Sequence, residues 1–182
     1  YSFNNCPFLQ TVDFEQNSEL QIIDDMAFYE SPIISIFLPS SVKKIGDYAF
    51  FGCKIENIKF VGNFEYISIG NGAFMSAEFK SISIPSKIID FQKKWCNELT
   101  NLIEIILSPA NNQYIFKNNT FLLGKTDEKS DIFDNLLFAR RDIVHTRIPS
   151  YIKKISSYSF NNCKLLKTVD LEPNSELQIN DD

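Results

Sequence analysis

The sequence predicts a β-rich α/β chain built as a right-handed solenoid. Short coils stack along an axis, with a parallel sheet on one wall, short helical or 3₁₀ turns on the other, and one β-hairpin insertion. Three observations predict it. Residues 1–25 and 158–182 agree at 19 of 25 positions, and self-similarity of that length within one chain marks a repeat architecture. An aromatic slot recurs at Phe3, Phe28, Phe50 and Phe74, separated by 25, 22 and 24 residues, and returns at Phe160. Five or six residues after each slot stands an apolar triplet spaced 0, 3 and 5.

The triplets are Leu9/Val12/Phe14, Ile33/Ile36/Leu38, Ile55/Ile58/Phe60, Phe79/Ile82/Ile84 and Leu166/Val169/Leu171. Their last two members are two residues apart, the period of a strand with one buried face. Pro39-Ser40-Ser41 and Pro85-Ser86 then end the strand and turn the chain. A second apolar pair, such as Leu20/Ile23, Val42/Ile45, Tyr66/Ile69 or Ile152/Ile155, leads into the next Phe five residues on. The segment before each Phe, as in Ile45-Gly46-Asp47-Tyr48-Ala49-Phe50, is too short for a full helix and reads as a single helical or 3₁₀ turn. No unit buries its apolar set alone, so the units share one continuous core only when stacked, with Phe on Phe along one wall.

One coil is degenerate but in phase. Ile88/Phe91 is its pair, Cys96 stands where a Phe is expected, and Leu102/Ile105/Leu107 is its triplet. Trp95 beside Cys96 is the residue placed to fill the thinner contact. From about 110 to 142 the period breaks. Apolar stretches 114–116, 121–123 and 136–138 are divided by polar turns, Asn118-Asn119 being a hairpin turn. This reads as an inserted pair of hairpins, after which Ile143, Thr146 and Ile148-Pro149 resume the coil with Thr146 as its weak core position. Residues 1–182 read as one domain and as a piece of a longer chain, since Tyr1 opens it and Asn180-Asp181-Asp182 closes it without a terminating element.

Composition narrows the function. With 44% apolar residues and 23% charged, the chain is a foldable globular one. Eighteen basic and 23 acidic residues give a net charge of −5, the wrong sign for a nucleic-acid partner. No run of 18 apolar residues argues for membrane insertion. The single histidine, His145, lies on the outward phase of a strand with no nucleophile motif near it, and reads as a surface residue. Four cysteines have neither CxxC pairing nor metal-ligand spacing with His145. Cys6, Cys53 and Cys163 each follow the repeat Phe by three residues, in a slot that also takes Ser31 and Ala77, so they read as small buried packing thiols. No catalytic residue, cofactor site or metal site is expected.

The stretch ISIFLPSSVKKIGDYAFFGC at 34–53 resembles the BspA-like leucine-rich repeat family, whose pattern is approximately L-x-x-I-x-I-P-x-S-V-x-x-I-G-x-x-A-F-x-x-C. The resemblance covers nearly the whole chain, departing at Cys96, at Thr146 and at Asn180, where the first copy has Ile23. It implies a leucine-rich repeat domain of a microbial surface or secreted protein that binds host or neighbouring-cell proteins, and it brings no catalytic residues.

The outward positions of the strands are therefore the candidate protein-binding surface. One column holds Asp13, Phe37, Lys59, Ser83, Ile106, Arg147 and Asp170, flanked by Ile103 and His145. Large apolar residues rimmed by charge mark binding patches. Two readings are open for Ile103 and Ile106: part of that patch, or a local core beneath the folded-over insertion. Asn118-Asn119-Thr120 is an N-glycosylation sequon on a turn, relevant in a eukaryotic secretory host. The function expected is adhesion or host-protein binding at the cell surface, host or extracellular-matrix protein being the partner. The alternative is an intracellular, cytoplasmic scaffold, which four unpaired thiols suit.

Overall fold

Along Ser35–Pro39 the inward residues Ile36 and Leu38 are fully buried while Phe37 faces out, the alternation a half-buried strand requires. A computed structural model describes residues 2–15, 17–62, 64–91 and 94–178 and shows this pattern repeated coil after coil. The first coil carries β1 (Thr11–Val12) and β2 (Ile22–Ile23), and the second β3 (Ser35–Pro39) and β4 (Lys44–Ile45). The third carries β5 (Asn57–Val61) and β6 (Ile67–Ile69), the fourth β7 (Ser81–Ile84) and β8 (Ile88–Phe91). The fifth begins with β9 (Glu104–Leu107) and runs through β10 (Ile115–Lys117), β11 (Phe121–Gly124) and β12 (Asn135–Ala139). The sixth has β13 (His145–Ile148) and β14 (Lys154–Ile155), and the last β15 (Thr168–Leu171).

Two parallel ladders run along the stack. The principal one comprises β1-β3-β5, then β7-β9, then β13-β15, and the second comprises β2-β4-β6-β8. The insertion is a three-stranded antiparallel meander, β10-β11-β12, whose last strand pairs in parallel with β14 through Asn135↔Lys154 and Leu136↔Ile155. Its β12 thus supplies the fifth coil's strand in the second ladder. Asn118 and Asn119 are both left-handed, with φ of 52° and 51°, and Thr120 N–H donates to the Lys117 carbonyl, making the two-residue primed turn that suits a hairpin.

The expected helical turns are not confirmed. Among the described residues there is no α- or 3₁₀-helix. Around each Phe the chain makes consecutive tight turns with two left-handed residues four apart: Met26 and Glu30, Tyr48 and Gly52, Gly72 and Ser76, Lys94 and Glu98, Tyr158 and Asn162. Left-handed residues at that interval cannot propagate a right-handed helix. Alternate amides leave the turn and bond along the stack: Met26 to Asp47 O (2.9 Å), Phe28 to Ala49 O (2.8 Å) and Glu30 to Phe51 O (2.7 Å). The same set recurs from Tyr48, Phe50 and Gly52 to Asn71, Ala73 and Met75.

Phe3, Phe28, Phe50 and Phe74 form the file the spacing predicts. Successive ring centroids lie 5.2, 5.2 and 5.6 Å apart, with planes within 5° of parallel. The file stops at buried Cys96, and Trp95 turns inward against Phe91 (4.3 Å) and Phe138 (5.9 Å). Phe160 does not join; it meets Phe121 edge-on at 6.2 Å. Instead of one continuous core there are two clusters. The larger runs from Ile23 to Ile105 with Leu122 and Phe138, and the smaller gathers Phe121, Leu123, Leu136, Ala139, Ile148 and Ile152. Tyr66 is also corrected: it is exposed, because Phe64 and Ile67 fill the interior where its pair was placed. Thr146 is half-buried beside buried Ile148.

Arg141 lies at the division. Ala139, whose amide donates to Ser159 O as the Phe28 amide donates to Ala49 O, holds the Phe position of this coil, and Arg141 stands two residues beyond it. The arginine side chain is buried, with no carboxylate on it among the described residues; the neighbouring Asp142 is engaged by Arg140 through two bonds of 2.6 Å. Its donors go to the carbonyls of Ser159 (2.8 Å), Cys96 (2.9 Å), Leu99 (3.2 Å) and Ala139 (3.3 Å), and its guanidinium lies 4.5 Å from the Phe138 ring centroid. A planar five-donor fork can satisfy several carbonyls at once, which a hydrocarbon cannot.

Candidate functional site

The principal sheet sets the candidate surface. Phe37 is in register with Lys59, Ser83 with Ile106, and Arg147 with Asp170, while Asp13 follows Val12, the partner of Ile36. All seven column residues are exposed. Phe37 is 41% and Ile106 49% exposed, high values for large apolar side chains on ordered strands. Lys59 Nζ lies 5.7 Å from the Phe37 ring centroid, so cation and ring form one amphipathic feature. Val61, which sequence reasoning passed over, is 49% exposed and pairs with Pro39 at the end of the same strands. Its signal was present: it lies two residues beyond Lys59 on the outward phase.

The column is not one unbroken sheet. β5 and β7 touch without a hydrogen-bonded ladder between them, and no ladder joins β9 to β13. Beside the first break, at the strand ends, is a groove of about 280 Å³ lined by Phe60, Phe64, Ile84, Pro85, Ile106 and Leu107 among others. The insertion joins the second ladder, leaving Ile106 uncovered, whereas Ile103 is half-buried. A larger polar groove, about 570 Å³, lies under the insertion between Phe91, Tyr114, Lys125, Glu128, Asn135 and Leu137.

His145 is exposed, and its Nδ1 lies 2.8 Å from the Thr168 hydroxyl on the paired strand, a cross-strand contact on the sheet surface. The cysteines are free thiols. Burial pushes Cys53 up to about 12, against the opposing backbone contacts of Ser31 and Ile33. Burial likewise raises Cys96 to about 11, although the Arg141 charge pulls the other way. The Cys slot is more than a small packing site. The Cys53 thiol reaches the Phe28 carbonyl at 3.1 Å, and the Ser31 hydroxyl donates to the Phe3 carbonyl at 2.6 Å, each linking two coils. Asn118 is exposed at the hairpin tip. No group of three or more His, Cys, Asp or Glu side chains able to hold a metal occurs among the described residues, and no helix there is long and apolar enough to cross a membrane.

Sequence reasoning missed the buried carboxylate Asp134. It accepts from the Thr126 amide (2.8 Å) and hydroxyl (2.9 Å), and Lys153 Nζ stands 3.4 Å away. Burial alone would raise this carboxyl, but the Thr126 bonds and the Lys153 contact outweigh it and hold the group below its ordinary range. The cluster ties the 125–134 loop to the sixth coil.

Comparison with known proteins bears on the whole frame. The model of the BspA type leucine-rich repeat region matches residues 1–124 and 125–181, in six copies. No curated protein matches. Among solved structures, the pneumococcal vaccine antigen PcpA superposes with a TM-score of 0.75 at 24% identity, over 88% of this chain and 39% of its own. A leucine-rich repeat protein from Eubacterium ventriosum gives 0.67 at 22% identity, over 87% of this chain and 47% of its own. A leucine rich cell surface protein from Faecalibacterium prausnitzii gives 0.65 at 16%, over 93% of this chain and 56% of its own. The chain therefore spans between 39% and 56% of the length of these proteins, and the likeness is one of fold.

Proposed function

Because the chain belongs to the BspA type leucine-rich repeat family, we propose that it is a non-enzymatic protein-binding module of a microbial cell surface, serving adhesion to a host or extracellular-matrix protein. The observation that carries this reading is the outward column of the principal sheet. It offers Phe37, Val61 and Ile106 to solvent, with Asp13, Lys59, Arg147 and Asp170 around them. Apolar anchors with a charged rim, held on a repeat scaffold, are the composition of a protein-recognition surface. The vaccine antigen and the cell surface protein among the structural neighbours support placement outside the cell. A repeat scaffold of this family is typically a non-enzymatic binding frame, which supports a binding role.

The test pairs the native chain with a Phe37→Lys/Ile106→Lys double variant against a panel of immobilised extracellular-matrix proteins. Saturable binding by the native chain and a loss of at least tenfold in the variant is the expected result. Equal binding by both rejects the column as the site. Four unpaired cysteines favour a second reading, an intracellular scaffold using the same face. Biotinylation of intact cells separates the two, since a protein never labelled from outside leaves only the scaffold. In a eukaryotic secretory host the exposed Asn118 sequon is, on this proposal, glycosylated; a mass shift removed by Asn118→Gln reports it.

A further inference from the structure

The polar groove beneath the insertion has a glycine in its floor. Gly124 ends β11 without a left-handed φ, so the backbone there does not demand glycine. Space does. A Cβ on Gly124 would stand 2.9 Å from Leu137 Cδ1 and 3.4 Å from Tyr114 Cε1. A glycine inside a strand marks a place that something else approaches closely. Here it leaves the half-buried Tyr114 ring over bare backbone, with buried Phe91 edge-on to that ring at 5.1 Å. Both walls are fixed by bonds of their own. On one side the Asn111 carboxamide oxygen accepts from the Gln113 and Tyr114 amides, 3.0 Å each, and its nitrogen donates to the Pro85 carbonyl at 3.1 Å. That turn carries the exposed side chains of Asn112 and Gln113. On the other side Asp134 accepts from the Thr126 amide and the Asp127 carboxylate from the Lys129 amide, which fixes the segment bearing Lys125 and Glu128. Asn135 completes the lining. Its Oδ1 accepts from the Ser156 hydroxyl at 2.8 Å, and its Nδ2 has no partner among the described residues. A site already in shape loses little ordering entropy when it is filled.

The chemistry of the lining selects a ligand class. Asn112, Gln113 and Asn135 supply donors and acceptors in equal measure. Lys125 and Glu128 bring one charge of each sign, so an anion such as a phosphate gains no net attraction. The strands beneath are paired on both edges, Gly124 with Asn135 and Asn135 with Lys154, so an extended peptide finds no free strand edge there to lengthen. What fits is a molecule with an apolar ring face and a rim of hydroxyls. We propose that this groove binds a neutral saccharide, one or two sugar residues of a glycan, with a sugar ring against Tyr114 and its hydroxyls met by Asn112, Gln113 and Asn135. The volume of about 570 Å³ lies within the roughly 300–1,000 Å³ of small-ligand sites. The groove is built by the insertion and the second ladder, so this site does not rest on the outward column of the principal sheet.

An array of neutral hexose and N-acetylhexosamine oligosaccharides, with sialylated and sulfated glycans beside them, tests this. The best neutral sugar is then titrated calorimetrically into the chain. Saturable binding to neutral glycans is the expected result. The double variant Asn112→Ala/Gln113→Ala, at two exposed positions, weakens it by about tenfold or more with an unchanged thermal melt. Tyr114→Ala weakens it at least as much, while Phe37→Lys/Ile106→Lys binds the sugar as the native chain does. Binding to no neutral glycan overturns the proposal. So does binding confined to sialylated or sulfated glycans, or equal binding by the native chain and the groove variants. Loss in Phe37→Lys/Ile106→Lys with retention in the groove variants places the sugar on the column and overturns it too.

Discussion

Arg141 donates to the backbone carbonyl of Cys96 at 2.9 Å, as the Cys53 thiol reaches the Phe28 carbonyl of the coil before it. The arginine therefore answers the residue that interrupts the aromatic file. Cys96 is too small to continue the stack, and the guanidinium takes up carbonyls of both flanking coils. Removing it strands several buried acceptors, each costing roughly 1–3 kcal/mol. Arg141→Leu is expected to lose at least about 3 kcal/mol in urea unfolding. Arg141→Lys should recover less than half of that, since a point charge cannot reach four carbonyls. An unchanged midpoint for Arg141→Leu removes the arginine from the account of stability.

Phe50 stacks on rings at both faces and is fully buried. Phe50→Ala should cost about 3–5 kcal/mol, whereas Ser81→Ala, at an exposed strand position, should stay within about 0.5 kcal/mol. Thermal melts of the two variants side by side check this, and equal shifts count against the file as the principal core.

Gly46 is required for space. A Cβ there would stand 2.5 Å from the Asp25 amide nitrogen and 2.7 Å from the Asp24 carbonyl carbon. The Asp25 carboxylate, which accepts from the Asp47 amide at 2.8 Å, lies against the same point. Gly46→Ala must push two coils apart and should cost about 2 kcal/mol or more. Gly52 meets nothing closer than 3.2 Å and has φ of +71°. Gly52→Ala should therefore show only the left-handed penalty of about 1–2 kcal/mol. Chemical denaturation that ranks Gly52→Ala as the worse of the pair contradicts the steric reading.

Asp134 makes stability depend on acid. Its folded carboxyl titrates below the ordinary value, so the stabilisation is fully present above the unfolded value near about 3.9 and is lost as pH falls through the lower folded value. Asp134→Asn should lower stability at pH 7 by roughly 1.5–3 kcal/mol. The gap from the native chain should close as pH falls below about 4. A gap that persists undiminished at pH 2 assigns the effect to shape and not to charge.

Thiol chemistry reads out burial. With Cys53 raised to about 12 and Cys96 to about 11, both are protonated and enclosed at pH 8, and only thiolates react. A colorimetric thiol titration of the native chain should register Cys6 and Cys163, the half-buried pair, well before the other two. Denaturant should release all four together. Fast reaction at Cys53 in the native state contradicts its burial.

The stack was legible because burial on a strand repeats every second residue, and Ile33/Ile36/Leu38 recurs with enough fidelity to count coils. The turns were not. Met26, Tyr48, Lys94 and Glu98 are left-handed without being residue types that favour it; the amides of Met26 and Tyr48 are committed to the next coil, a fact of stacking and not of local composition. Arg141 read as part of a polar insertion because arginine is seldom buried. Its place shows only once β12 is seen to pair with β14. That same long-range pairing decides the exposure of Ile106, which is why the patch and local-core readings could not be separated from the residues alone.

The division of the interior at Arg141 also governs how the chain yields to tension. A load between the two termini passes through the coils in series, and the weakest junction gives first. The smaller cluster, gathered round Phe121, Leu136 and Ile152, peels away as one short extension. The ring-stacked block then ruptures later at higher force.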